Sequence, residues 1–452
     1  VSSRRHLPLL GVLASVLIVT GVASTLIKPT NPTALPTGLN VASNAESTAL
    51  YCTGLTSGSG GVAGEVTFLN TATSTRSMAI QIVSDTGQRF STSLAVPARG
   101  ARSLRPDLLV KGNSFGLAAQ VDGGGVVAEE ITSQRTAEVP CASAGVTSWY
   151  ASGFDTLVGS NAQLSIYNPT ATPAVMDVTT FSSSGFGAPA AYQGLSVAAH
   201  AQVELNLGKV VVNATNVAVR VNVLRGSVDV VGVQRSGQVV SLDPGATDTT
   251  TASWFPRVTT VSRAVAQLRV ANPGAQPANV TVNVSLPPFT VTPLTLTVAP
   301  FTSGVVVLTP NPAIPAHGYA SVSMTSSEPV IATLATGAGS GIALSPALVP
   351  AKTFLLADFA GRGYDAATVT NTSSRTIGVT FSVEAKGNLP GPTGTIRLDA
   401  DTTSSILGLF SGVTTFTGTT LLITASKAAL LVSATLPTSP KGVTVVSPLY
   451  GG

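Results

Sequence analysis

The sequence predicts an all-β protein: four tandem immunoglobulin-like β-sandwich repeats of about 100 residues after one N-terminal transmembrane helix. Three observations carry that reading. An apolar strand ending in Asn recurs four times. Short Val- and Thr-rich alternating runs fill the chain between Gly, Pro, Asn and Ser turns. Apart from one N-terminal apolar run, no stretch sustains a 3.6-residue period.

The recurring strands are Glu65–Asn70, Gln163–Asn168, Gln267–Asn272 and Ala367–Asn371. Their terminal residues, Asn70, Asn168, Asn272 and Asn371, lie 98, 104 and 99 residues apart. Each opens a turn, where an Asn side chain can close an Asx-turn on its own backbone. The neighbours keep step. An aromatic residue, Tyr51, Trp149, Trp254 or Phe354, precedes each Asn by 17 to 19 residues. A small apolar step follows by 26 to 29: Val96-Pro97-Ala98, Val197-Ala198-Ala199, Val298-Ala299-Pro300 and Leu398-Asp399-Ala400. Roughly seven short strands per unit is the signature of a β-sandwich. A four-bladed propeller is the alternative, but blades need only about 40–50 residues.

The organisation expected is therefore a cytoplasmic tail (1–6), a transmembrane anchor or signal peptide (7–27), a Pro/Thr-rich linker (28–47) and repeats at 48–145, 146–250, 251–350 and 351–452. Arg4, Arg5 and His6 precede the uninterrupted apolar run Leu7–Ile27. At about 1.5 Å per residue that run spans roughly 31 Å, enough for one hydrocarbon core. Arginines before the span predict a cytoplasmic N-terminus and an extracellular bulk. A cleaved signal peptide ending near Val22-Ala23-Ser24 competes, but its apolar region is usually only about 7–15 residues.

Charge and aromatic content exclude one class of partner. The chain holds 24 Lys and Arg against 20 Asp and Glu, and charged residues make up only 10% of it. That small excess forms no polybasic surface, so nucleic acid is not an expected partner. Seven Tyr, two Trp and fourteen Phe are also too few for rows of base-stacking platforms.

Two cysteines, Cys52 and Cys141, bracket the first repeat. In an exported chain an even pair predicts a disulfide. Closing a loop of that length removes roughly 4–5 kcal/mol of denatured-state entropy. No CxxC motif or ligand histidine accompanies the pair, so no metal is expected.

Nothing in the sequence assembles a catalytic site. His6, His200 and His317 lie at non-equivalent positions, which argues against a shared metal or a Ser-His-Asp triad. Glu129 and Glu130 are adjacent, so a strand points them to opposite faces. Asp85, Asp107, Asp122, Asp155, Asp243, Asp358 and Asp365 are scattered near turns, where aspartates cap backbone. Gly60-Gly61 and Gly123-Gly124-Gly125 lack the following helix that a phosphate site needs. No catalytic residue and no cofactor are expected. Asn279 and Asn283 each begin an N-glycosylation pattern.

The stretch Cys141 … Ser148-Trp149-Tyr150-Ala151-Ser152-Gly153, then Leu164 to Pro169, then Gly194 to Ala199, resembles the actinobacterial domain-of-unknown-function family 5719. That family shows C…WY-x-x-G, then L-x-x-x-NP, then a V-P-A step. Here Ala198 replaces the second Pro, while Val96-Pro97-Ala98 keeps it. The resemblance implies a membrane-anchored exported β-repeat protein, transfers no catalytic residue and points towards envelope glycan. Two functions follow as expectations. One is a non-enzymatic cell-envelope scaffold, adhesion protein or accessory subunit. The other is a glycan-binding accessory protein in surface polysaccharide assembly, with Trp149, Tyr150, Trp254 and Phe255 as stacking residues. Core packing explains these aromatics better, with Trp149 and Trp254 as core residues that close their sandwiches, and buried rings would sink the platform. The partners expected are the membrane and an envelope protein or glycan. The repeats are expected to bury their own cores and to form an elongated array.

Overall fold

A computed structural model describes residues 47–451 except 58–63, 133–136, 238, 262–263, 339–340, 349, 357–365, 385–389, 407–419, 437–443 and 447–448. The apolar run, the linker, Gly60-Gly61, Asp358 and Asp365 lie outside the described residues. Among the described residues no helix is long and apolar enough to cross a membrane. They are nearly all strand, in antiparallel sheets, with a few single-turn 3₁₀ segments.

The strands fall into four consecutive blocks. The first holds β1 (Ser47–Thr56), β2 (Gly64–Asn70), β3 (Arg76–Ser84), β4 (Arg89–Val96), β5 (Ala101–Leu104), β6 (Ser114–Asp122), β7 (Val126–Thr132) and β8 (Glu138–Pro140). They form two sheets, β1-β6-β3-β4 and β5-β2-β7-β8. Alternation decides which residues face inward. Along β3, Met78, Ile80 and Ile82 are buried while Ser77, Ala79 and Gln81 are exposed. The inward residues of both sheets share one core, with Leu50, Phe68, Ile80, Phe115 and Leu117. Burying each large side chain contributes about 1.5–3 kcal/mol.

The second block holds β9 (Ser148–Phe154), β10 (Ser160–Tyr167), β11 (Ala174–Ser182), β12 (Gly185–Gly187), β13 (Leu195–Val197), β14 (Gln202–Asn206), β15 (Val217–Arg225), β16 (Asp229–Ser236) and β17 (Val239–Asp243). Its sheets are β12-β11-β15-β9, with β13 also on β11, and β14-β10-β16-β17.

The third block holds β18 (Thr250–Thr259), β19 (Val265–Asn272), β20 (Ala278–Leu286), β21 (Phe289–Thr290), β22 (Leu294–Val298), β23 (Thr302–Thr309), β24 (Tyr319–Ala338) and β25 (Gly341–Pro346). Here one 20-residue strand, β24, serves both layers. Its first half pairs with β18 and β20, its second with β19 and β25. In the first two blocks two strands occupy this place, β6 then β7 and β15 then β16. Glycines at positive φ part them, Gly123 and Gly125 in one and Gly226 in the other. The third block has Ser326-Ser327-Glu328 there, so the strand runs on.

The fourth block holds β26 (Thr353–Leu356), β27 (Ala366–Asn371), β28 (Ile377–Glu384), β29 (Pro390–Leu398), β30 (Thr403–Ser405), β31 (Thr420–Ala425), β32 (Leu430–Leu436), β33 (Thr444–Val446) and β34 (Leu449–Gly451). Its sheets, β29-β28-β31-β26-β34 and β30-β27-β32-β33, enclose Phe354, Val369, Phe381 and Ile423.

Each block docks on the next through corresponding strands. β1 meets β10 and β16, β9 meets β19 and β24, and β18 meets β27 and β32. The final strands meet in the same order, β8 on β17, β17 on β25 and β25 on β33. The expectation that each repeat closes its own core alone needs correction. Ala335 and Leu344 of the third block complete the core of the second. Ala137 and Val139 of the first form a cluster with Val231, Val233, Val240 and Leu242 of the second. Alternating strands leave residues on the outer sheet faces too, and these neighbouring faces bury one another.

Candidate functional site

The four recurring asparagines are buried and do the same work. The Oδ1 of Asn70, Asn168, Asn272 and Asn371 accepts from the backbone N–H two residues on, each at 2.9 Å. The Nδ2 donates to the carbonyl four residues on, at 2.7–2.8 Å. It also donates to the first two carbonyls of the recurring step, such as Val96 and Pro97 at 3.1 Å. One side chain therefore closes the turn and ties it to the end of another strand. This explains why the step keeps pace with the Asn. The residue after each step is left-handed although none is glycine: Arg99, His200, Phe301 and Asp401, with φ between 48° and 58°. His200 thus occupies a repeated turn, and His317 lies elsewhere, edge-on to Phe289 at 5.0 Å between ring centroids.

Cys52 and Cys141 form a disulfide, with Cα atoms 4.6 Å apart. The Glu130 carboxyl lies within 4.8 Å of both sulfurs. Bonded to each other, the cysteines offer no thiolate, and a carboxyl with a disulfide is not a metal-ligand set. Glu130 is buried, and a backbone hydrogen bond from Thr53 is what favours its charged form. Oε2 sits over Gly54, at a β-bulge in β1 where a Cβ would crowd the carboxyl. Burial pushes Glu130 well above the usual carboxylate range, and nearby Asp229 adds to it. Burial likewise pushes Asp229 up to about 8 and Asp243 up to about 6. Burial also raises Tyr167 to about 12.

The first joint is polar, and Arg235 crosses it to donate to the Thr56 hydroxyl at 3.1 Å. Thr53 donates to Gln202 Oε1 at 2.8 Å and bonds the Ser165 hydroxyl at 3.0 Å, while Gln202 Nε2 donates to Ser165. The second joint is ionic. Arg269 donates to both oxygens of Asp155, at 2.7 and 3.2 Å, and to the Gly153 carbonyl at 2.6 Å. Both side chains are 3% exposed. Asn216 N–H and the Arg269 fork share Asp155 Oδ1, and Ser152 donates to Thr333. Sequence reasoning missed this pair. Asp155 is no local turn cap; that reading suits Asp243, whose carboxylate accepts from the Gly245 N–H two residues on at 2.8 Å. The available signal was positional. Three residues before the recurring Asn stand Thr67, Ser165, Arg269 and Thr368. A lone Arg there, inside an apolar strand, needs a buried counter-charge.

The third joint holds a cleft of about 490 Å³. One wall comes from β18, β20, β24 and the Pro287–Val291 loop, the other from Thr370, Asn371, Thr372 and Asp401. Among the described residues no lining side chain hydrogen-bonds across it.

The proposed stacking residues divide. Trp149 is 2% exposed, donates its indole N–H to the Pro244 carbonyl at 2.7 Å, and is covered by Gly245. Phe255 is also buried. Neither can present a ring face to a sugar, and both are corrected to packing residues. Tyr150 is half-buried, with the Arg220 guanidinium 5.6 Å from its ring centroid. Trp254, read as a core residue like Trp149, is only half-buried and lines the cleft.

No curated protein matches the chain. Among solved structures, Thermotoga maritima 1070 matches at 14% identity and a TM-score of 0.21, over 22% of this chain and 94% of that one. A tetra-tandem repeat from the extending region of a large adhesion protein matches at 12% identity and a TM-score of 0.12, over 89% and 99%. A Streptomyces avermitilis alpha-L-rhamnosidase matches at 9% identity and a TM-score of 0.16, over 72% and 45%. All three scores are far below the level of a shared fold. Residues 132–407, more than half of the chain, match a family of unknown function, domain-of-unknown-function family 5719, and the chain belongs to that family.

Proposed function

We propose that the chain is a non-enzymatic, membrane-anchored cell-envelope protein acting as a scaffold, adhesion protein or accessory subunit. Its four blocks are immunoglobulin-like sandwich repeats, held outside the membrane by the segment Leu7–Ile27. One observation carries this reading. The buried charged pair Asp155 and Arg269 joins one block to the next. A repeated joint between blocks is what a rigid spacer or docking platform requires. Protease added to intact cells should digest the repeats, and crosslinked membranes should yield a reproducible envelope partner. Protection of the repeats inside intact cells would end the reading. A glycan-binding accessory role is the second reading, favoured by the half-buried Trp254.

A further inference from the structure

We propose that the cleft at the third joint binds an uncharged oligosaccharide, with Trp254 as its stacking platform. The inference rests on the glycan-binding reading and gives it a place. In the pairing of consecutive blocks Trp254 takes the place of Tyr150, each bridging the segment after its block's last strand, so Trp254 faces the next block while Trp149 faces its own core. The Trp149 N–H is closed off by Pro244 O. The Trp254 N–H has no acceptor among the described residues, and its ring borders open space. The volume of about 490 Å³ falls within the ~300–1,000 Å³ of small-molecule sites.

The lining selects the ligand. Phe289, 41% exposed, supplies a second aromatic surface for the C–H face of a sugar ring. Asn283, Ser285, Thr290, Ser321 and Ser323 supply donors and acceptors suited to hydroxyl groups. Asp401 is the only charged residue lining the cleft among the described residues. Its carboxylate accepts from hydroxyls and repels anions, so a uronate or phosphate ligand fits poorly. A peptide fits less well than a glycan. Adding a strand needs a free sheet edge; β20 and β24 already pair on both sides, and Leu348 takes the outer edge of β18 at Trp254. An occupant would touch both walls and bond polar groups that, among the described residues, meet no partner across the cleft.

The chain has two tryptophans, so in the Trp149→Phe variant Trp254 is the sole tryptophan and can be excited selectively over the tyrosines. The full chain would be titrated with neutral hexasaccharides of glucan, mannan, galactan and arabinan, with oligogalacturonate as the anionic control. We expect a saturable shift of Trp254 emission with at least one neutral glycan. Calorimetry on the unsubstituted chain should give the same affinity. Phe289→Ala and Asn283→Ala, both at exposed positions, should each weaken binding at least fivefold, and Trp254→Ala at least tenfold. Binding that all three variants leave unchanged would overturn the cleft while keeping a glycan-binding protein. Absence of binding by every neutral hexasaccharide would overturn both. Binding of oligogalacturonate alone, or of a Pro-rich peptide alone, would overturn the ligand class.

Discussion

The second and third joints are made by equivalent strands, yet one is closed and the other open. At the second, Arg269 reaches three residues before the recurring Asn into the preceding block and meets Asp155. At the third, the same position holds Thr368, whose hydroxyl is buried without a partner. The outward aromatics follow suit, with Tyr150 packed against Phe181, Ala218, Ala271 and Ile331 and Trp254 on a cleft. A repeat thus fixes where blocks meet. The side chains at the meeting place decide whether the contact is a weld or a pocket.

The comparison breaks hardest at the ion pair. Arg269→Ala should destabilise the second joint by about 3–5 kcal/mol, because Asp155 is left charged and buried. Denaturant unfolding measures it. Replacing both residues with apolar ones of similar volume should recover much of the loss. If Arg269→Ala costs under about 1 kcal/mol, the joint is not held by this pair.

The tryptophans come next. Trp149→Ala should cost about 3–5 kcal/mol, since it empties a core site and frees the Pro244 carbonyl. Trp254→Ala removes a half-buried ring and should cost less than about 2 kcal/mol. Equal losses would mean that the cleft closes in solution.

Buried carboxyls add a pH test, Asp229 at the first joint and Asp243 beside the Gly245 turn. Asp229 and Asp243 have folded pKa values of about 8 and about 6, raised by burial from 3.8. The folded state therefore holds protons more tightly than the unfolded chain. The stability this contributes is complete below about pH 4 and is lost as pH rises through 6 and then 8. We expect a loss on the order of 2 kcal/mol between pH 5 and 9, well under the full ~1.4 kcal/mol per unit because water enters as the groups ionise. Asp229→Asn should flatten the upper part of that curve. A stability that rises over this range would contradict the burial of these carboxyls as acids.

Much of this architecture is legible in the sequence, and the limit has a physical cause. Local rules write the strands, the Asn turns and the step. Each concerns neighbours in the chain or a period of two, so a single repeat displays it. The joints unite residues about 110 positions apart, such as Ser165 with Thr53 or Arg269 with Asp155. No local pattern encodes those partners. The unequal tryptophans show the same limit. Their sequence settings are alike, and only the pairing, Tyr150 with Ala246 but Trp254 with Leu348, shows that Trp149 faces inward and Trp254 outward.

The smallest effect tests the comparison most directly. Thr368 Oγ1 lies buried on β27 with no hydrogen bond, whereas the hydroxyl of Ser165 at the equivalent place bonds Thr53 and accepts from Gln202. An unsatisfied buried hydroxyl costs its desolvation, about 1–3 kcal/mol. Val has nearly the shape of Thr and suits a strand at least as well. Thr368→Val should therefore stabilise the fourth block by roughly 1 kcal/mol. Ser165→Ala should move the opposite way by about the same amount, because it strands Thr53 and Gln202. Both are read by denaturant unfolding of the full chain, as shifts of the corresponding transition. The sign is what matters. If Thr368→Val destabilises, its hydroxyl has a partner in solution, and the third joint is bonded like the other two.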